Sequence, residues 1–163
     1  MVKILFICHG NICRSVSAQY ILEELLRRRG VTGVLADSAA TSREEIGNGI
    51  YPPMKAALGR MGVPVGDHRA RQMKAEDYEA YDLLIGMDRE NLYNMRRILG
   101  ADPEGKLHYL MEYAGRPGEA VEDPWYTRKF DSCAAQIAEG CAGLLEHILN
   151  DPAFTCSASG AAL

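Results

Sequence analysis

Apolar side chains recur along this chain in two rhythms that alternate. Residues 2–8 (Val-Lys-Ile-Leu-Phe-Ile-Cys) are apolar at almost every position and rich in strand formers. A run of this kind predicts a strand covered on both faces, as in a parallel sheet. After a Gly-Asn turn, residues 15–29 carry Tyr20, Ile21, Leu22, Leu25 and Leu26 at helical spacing and close on a basic run before Gly30, which reads as an amphipathic helix and its end. The pattern then repeats. Strands are predicted over residues 34–40 and 81–87 and near 107–110; helices over 53–61, 74–80, 88–99 and 128–149. Alternation of this kind predicts an α/β fold with a doubly wound parallel sheet. In such sheets the ligand lies beyond the carboxyl ends of the strands, near the first strand-to-helix turn, and residues 8–15 occupy that turn. Residues 1–150 are expected to form a single domain. Residues 151–163 are mostly small and without a period, and predict a disordered C-terminal tail.

Bulk composition narrows the function classes. A chain of 163 residues, 47% hydrophobic and 25% charged, has the size and balance of one globular domain with its own core. Its formal net charge of −4 gives no electrostatic reason to expect nucleic-acid or anionic-membrane binding. No apolar run is long enough to span a bilayer and the start lacks a cleavable leader pattern, so no membrane insertion and a cytoplasmic location are expected. The five cysteines, Cys8, Cys13, Cys133, Cys141 and Cys156, form no Cys-x-x-Cys pair, and their odd number cannot all pair within one chain. Zinc and a disulfide scaffold are poor readings, so no metal or cofactor is expected; a reactive thiol remains.

That thiol is Cys8. Cys8 and Arg14 bracket the loop Cys8-His9-Gly10-Asn11-Ile12-Cys13-Arg14, and although a cysteine and an arginine at this spacing is a weak signal alone, the setting is informative. The cysteine ends the first strand, Gly10 and Asn11 tolerate the positive φ of a tight ring, and Arg14 with Ser15 opens a helix. A loop wrapped so can aim successive backbone N–H groups at one centre, where the positive end of the helix dipole also points. That centre suits a phosphate dianion, and the same field favours thiolate over thiol, the form that attacks phosphorus. Arg14 supplies a planar fork for two equatorial oxygens. The competing reading makes Cys8 a buried strand-end thiol and Arg14 a surface residue, but an arginine at a helix start opposes the dipole unless an anion is bound. A proton donor for the leaving group is also needed. Of the three Asp-Pro pairs, at Asp102, Asp123 and Asp151, only Asp123 is followed by two aromatics, Trp125 and Tyr126. By itself that pair reads more readily as a turn.

At these residues the sequence resembles the low-molecular-weight protein tyrosine phosphatases, whose loop reads Cys-x-Gly-Asn-x-Cys-Arg-Ser-Pro. The likeness continues through Asp37-Ser38-Ala39-Ala40-Thr41-Ser42, Glu45-Ile46-Gly47-Asn48, His68-x-Ala70-Arg71-Gln72, Met87-Asp88 and Asp123-Pro124-Trp125-Tyr126, and covers nearly the whole chain to about residue 150. The resemblance implies a four-stranded parallel sheet with helices on both faces and a phosphate-binding loop after the first strand. It implies hydrolysis of phosphotyrosine on protein substrates through a cysteinyl-phosphate, releasing inorganic phosphate. Cys8 would be the nucleophile, Arg14 the phosphate clamp, and Asp123 the general acid and then base. Phosphate and substrate would be held by residues 9–15 (His9, Gly10, Asn11, Ile12, Cys13, Arg14, Ser15) with Trp125 and Tyr126. It further implies a supporting network of Asn11, Ser15, Ser38 and His68 that holds Asn11 left-handed, for which the local alternatives are a helix-cap serine and an ordinary core or surface histidine. Cys13 would be the redox partner of Cys8; a small loop-packing residue is the other reading.

The sequence departs from that pattern at two places. Val16 stands where relatives carry proline at the first turn of the helix, which lowers loop stiffness while sparing the chemistry. Glu44 stands where many relatives carry a large aromatic, and Arg43-Glu44-Glu45 makes the rim charged, predicting a preference for basic residues near the phosphotyrosine. Arsenate reduction on the same fold would need relay cysteines between Cys13 and Cys133, and none is present. Protein-arginine phosphatases carry threonine at the position of Ile12. A non-catalytic phosphotyrosine-binding module would be expected to lose Cys8 or Asp123.

Overall fold

The computed structural model describes residues 1–154. Among these, β1 (Val2–Cys8), β2 (Val34–Ala40), β3 (Leu83–Gly86) and β4 (Leu107–Tyr109) form one sheet in the order β2-β1-β3-β4, with every neighbouring pair parallel. Strand β1 is central, paired along its full length with β2, from Val2 opposite Val34 to Cys8 opposite Ala40. Helices α1 (Arg14–Arg28), α2 (Pro52–Arg60), α3 (Asp77–Ala80), α4 (Arg89–Leu99), α5 (Pro124–Thr127) and α6 (Phe130–Asn150) complete the fold, with a 3-10 turn at Leu110–Ala114.

The near-continuous apolar run of β1 has a direct cause. Val2, Ile4, Phe6 and Cys8 enter a core with Ala18, Ile21 and Leu22 of α1 and Ile137, Cys141 and Leu144 of α6. Leu5 and Ile7 enter a second core with Leu92 and Met95 of α4. Period-two alternation therefore sends side chains into two buried layers. A smaller cluster of Ile12, Cys13, Met54, Ala57, Ala70 and Ala134 supports the loop after β1. Helix α6 lies close to the 3-10 turn because Gly140 and Gly143 face it; a Cβ at Gly143 would collide with the Tyr113 carbonyl.

Several predicted boundaries move, each for a local reason. The helix expected over 74–80 is only Asp77–Ala80, because the Asp77 carboxylate accepts the Lys74 N–H at 2.8 Å and closes a turn there. The long helix begins at Phe130 rather than 128 because Arg128 adopts a left-handed φ of 60°. The short α5 and the 3-10 turn were not predicted. Of the segment expected to be disordered, Phe154 packs against the larger core and its ring lies 6.2 Å from that of His147; the rest of that expectation, residues 155–163, lies outside the described residues.

Candidate active site

Strand β1 delivers Cys8 to the carboxyl edge of the sheet, and the chain must turn at once to enter α1. It does so through Asn11, which is fully buried with φ 61°. In this wrap the Cys8 sulfur faces the Ser15 hydroxyl at 3.0 Å, the Asn11 N–H at 3.3 Å and the Ser15 N–H at 3.4 Å. Three donors converging on one sulfur suit a thiolate. No acidic residue occupies the first turn of α1, so the positive end of its dipole is left for an anion.

The wrap is held from behind. Asn11 donates through Nδ2 to Ser15 Oγ at 2.9 Å, accepts the Arg71 N–H on Oδ1 at 3.2 Å, and its carbonyl accepts from His68 Nε2 at 2.6 Å. Burial pulls the His68 imidazole below its ordinary value, so the donor to that carbonyl is the neutral ring with its proton on Nε2. Of the expected network Asn11, Ser15 and His68 meet, but Ser38 does not join them. Its hydroxyl donates to Gln19 Oε1 at 2.6 Å; the backbone of Arg71 is Asn11's further partner. Arg71 is fixed by a two-pronged pair with Asp77, at 3.0 and 3.2 Å.

Arg14 lies with its side chain 3% exposed. Nη1 donates to Asp88 Oδ2 at 2.7 Å and to the Val121 carbonyl at 2.9 Å, while Nη2 is 3.5 Å from Asp123 Oδ2. Burial opposes its charge, but the Cys8 sulfur and then Asp88 and Asp123 outweigh it and push the guanidinium above its ordinary value. Asp88 also caps α4, accepting the Asn91 N–H at 2.8 Å, so one carboxylate fixes a helix and the clamp together. Asp123 caps α5 through Oδ1 from the Trp125 N–H at 3.0 Å, which leaves Oδ2 facing Arg14. Asp88 and Asp77 were not singled out as site residues by sequence reasoning; the signals for Asp88 were its place in the Met87-Asp88 likeness and a helix-cap aspartate directly after a buried strand.

Cys8, Cys13 and Arg14 line a cleft of about 320 Å³. All three are buried. Ile12, Asp123, Trp125 and Tyr126 also line it, as do His9, Gly10, Glu44 and Glu45. Trp125 and Tyr126 are exposed, at 47% and 81%, and so are available to a ring entering from solvent. Arg43 does not line the cleft; its Nε donates to Gln72 Oε1 at 3.0 Å. The rim is therefore acidic rather than mixed, with Glu44 paired to His9 Nε2 at 3.0 Å and both groups exposed. Burial, with the nearby Cys8 charge second, pushes the Cys13 thiol well up, and burial pushes Cys133 up to about 12.

Comparison with known proteins gives a consistent likeness over this whole framework. Residues 3–153 match the model of a family described as low molecular weight phosphotyrosine protein phosphatase. The low molecular weight protein-tyrosine-phosphatase YfkJ of Bacillus subtilis is 35% identical over 150 residues, spanning 91% of this chain and 96% of that protein. Its crystal structure superposes with a TM-score of 0.88, covering 93% of this chain and 97% of that one. A structure titled DARP, drosophila arginine phosphatase, is 30% identical with a TM-score of 0.82, covering 92% of this chain and 99% of that one.

Proposed function

This chain belongs to the low molecular weight phosphotyrosine protein phosphatase family, and we propose that within it Cys8 is the nucleophile, Arg14 the phosphate clamp and Asp123 the acid and base. The family makes it a hydrolase of phosphotyrosine that works through a cysteinyl-phosphate and acts on phosphoproteins. The observation that carries the residue assignment is the convergence of the Ser15 hydroxyl and two backbone N–H groups on the Cys8 sulfur, with Arg14 and Asp123 lining the same cleft.

The reaction then follows from the groups present. The Cys8 thiolate attacks phosphorus in line and the P–O bond to the tyrosyl ring breaks. Asp123 gives its proton to the departing phenolate oxygen, releasing tyrosine. Arg14 and the loop N–H groups hold the equatorial oxygens as charge spreads over them. Asp123, now a carboxylate, takes a proton from water while the water oxygen bonds to phosphorus and the S–P bond breaks. The Ser15 hydroxyl donates to the thiolate that leaves, and inorganic phosphate departs.

Specificity is read from the walls. Ile12, Trp125 and Tyr126 offer an apolar and aromatic slot for a phenyl ring, which favours tyrosine. The acidic pair Glu44 and Glu45 favours substrates with basic residues beside the phosphotyrosine. Cys13 protects the nucleophile: when peroxide has oxidised Cys8 to the sulfenic acid, the Cys13 thiol attacks that sulfur, water leaves and a reducible disulfide remains. A reducing compartment keeps a thiolate nucleophile from oxidation, and a cytoplasmic location fits the four free cysteines among the described residues. Among those residues no helix is long and apolar enough to cross a membrane. The test is kinetics on phosphotyrosine, phosphoserine and phosphoarginine peptides. Tyrosine is expected to be preferred, Cys8→Ser to be inactive, and Asp123→Ala to lose about a hundredfold. Undiminished turnover in Cys8→Ser would sink the mechanism, and faster turnover of phosphoarginine would sink the tyrosine assignment.

A further inference from the structure

Among the described residues, two outside glycine have positive φ: Asn11 in the nucleophile loop and Arg128, at 60°, immediately after the acid loop. A left-handed arginine costs conformational energy and persists only where its surroundings hold it. Here the holding contacts are an aromatic cage. The guanidinium carbon lies 5.4 Å from the Tyr51 ring centre, 5.9 Å from Trp125 and 5.2 Å from Phe130. Its Nη2 donates to the Tyr51 hydroxyl at 3.0 Å and its Nη1 to the Trp125 carbonyl at 3.5 Å. The Tyr51 and Trp125 rings are themselves 5.0 Å apart.

The cage joins the two halves of the site. Tyr51 donates its N–H to the Ile12 carbonyl at 3.0 Å, in the nucleophile loop. Trp125 donates its N–H to Asp123 Oδ1 at 3.0 Å, in the acid loop. Trp125 and Tyr126 are exposed and Pro124 is the one buried residue of α5, so packing of the helix itself does little to fix its distance from the sulfur. We propose that Arg128 is a positioning residue that clamps Trp125 to Tyr51 and thereby sets Asp123 in reach of the leaving oxygen. Its planar fork spans the Tyr51 hydroxyl and the Trp125 carbonyl, which a lysine ammonium would do less well.

This inference rests on the reading of Asp123 as the acid, and the experiment separates the two. Arg128→Gly keeps the left-handed backbone and empties the cage; Arg128→Lys keeps a cation over the rings. The kcat/KM is measured with phenyl phosphate, whose leaving group needs a proton, and with 4-nitrophenyl phosphate, whose leaving group does not. Arg128→Gly is expected to lose about tenfold on the first and less than about twofold on the second, with Arg128→Lys between it and the parent. Relief of the backbone strain offsets part of what the lost cage contacts cost, so the thermal midpoint of Arg128→Gly is expected near that of the parent; it is measured beside the kinetics, which are run well below it. Equal losses on both substrates, or no loss on either, would overturn the proposal. Asp123→Asn is the control: if its own loss ignores the leaving group, the acid assignment fails and Arg128's role with it. A leaving-group effect in Asp123→Asn that is missing in the Arg128 variants refutes the clamp alone.

Discussion

Replacing Asn11 by alanine and by glycine tests whether the nucleophile loop is held in a strained conformation. Either change removes the side-chain amide. The Arg71 N–H loses the acceptor it had at 3.2 Å, and Ser15 Oγ loses the donor it had at 2.9 Å. An orphaned backbone N–H costs about 1–2 kcal/mol, and loss of the second bond about 1 kcal/mol, since the hydroxyl keeps its contact with Cys8. Both variants therefore start from a deficit of about 2–3 kcal/mol. They then diverge with the backbone, at φ 61°. Alanine adds about 1–2 kcal/mol of left-handed strain; glycine has none, but gives back about 0.4–1 kcal/mol through greater freedom in the unfolded chain. Asn11→Ala should be less stable than Asn11→Gly by about 0.5–1 kcal/mol, the reverse of the usual order within helices and strands. In urea unfolding with an m of about 1–2 kcal/mol/M, that is a separation of several tenths molar in midpoint, at unchanged m. An alanine variant as stable as the glycine variant, or more so, would refute the account of the loop.

Further outcomes follow from the same geometry. Burial pushes the Cys13, Cys133 and Cys141 thiols up, so iodoacetamide near neutral pH should label Cys8 and spare those three, with inorganic phosphate protecting Cys8; peptide mass mapping that finds Cys133 labelled as fast would contradict this. Glu44→Tyr should raise affinity for neutral phosphotyrosine peptides and reduce the advantage of basic ones by several-fold, and an unchanged ratio of kcat/KM values would remove Glu44 from specificity. Burial lowers the His68 value from 6.5, so NMR should find its midpoint below that. The unfolded chain then binds the proton first, and the His68 contribution to stability is complete above about pH 6.5 and declines as pH falls through the window down to the folded midpoint. A midpoint above 6.5 would reverse that sign.

What could be read from the sequence divides by range of contact. The wrap around the Cys8 sulfur is built by Asn11 and Ser15, neighbours in the chain, so strand, loop and helix signals sufficed to foresee it. The partners of Arg14 are the carboxylates of Asp88 and Asp123 and the Val121 carbonyl, brought in by β3 and by the segment before α5; no local pattern encodes a pair 74 positions apart. Ser38 shows the complementary error. The family resemblance put it in the Asn11 network, yet its hydroxyl turns to the half-buried Gln19 of α1. Strand register fixes which face a side chain takes, and leaves open which of two neighbours it bonds.

Missed α5 is a different case, because its signals were present. Aspartate at the cap followed by proline is a helix-start pattern, but four residues are too few for a hydrophobic period to appear, and the same dipeptide opens turns. The consequence reaches function. The carboxylate that caps α5 through one oxygen has only the other to present to Arg14 and to a leaving group, so the cap orients the acid. Asp123→Asn preserves the capping acceptor and loses the proton, whereas Asp123→Ala loses both. The difference between these two variants in kcat/KM therefore measures how much of the acid's effect is orientation of the loop, and the loss from the parent to Asp123→Asn measures how much is proton transfer.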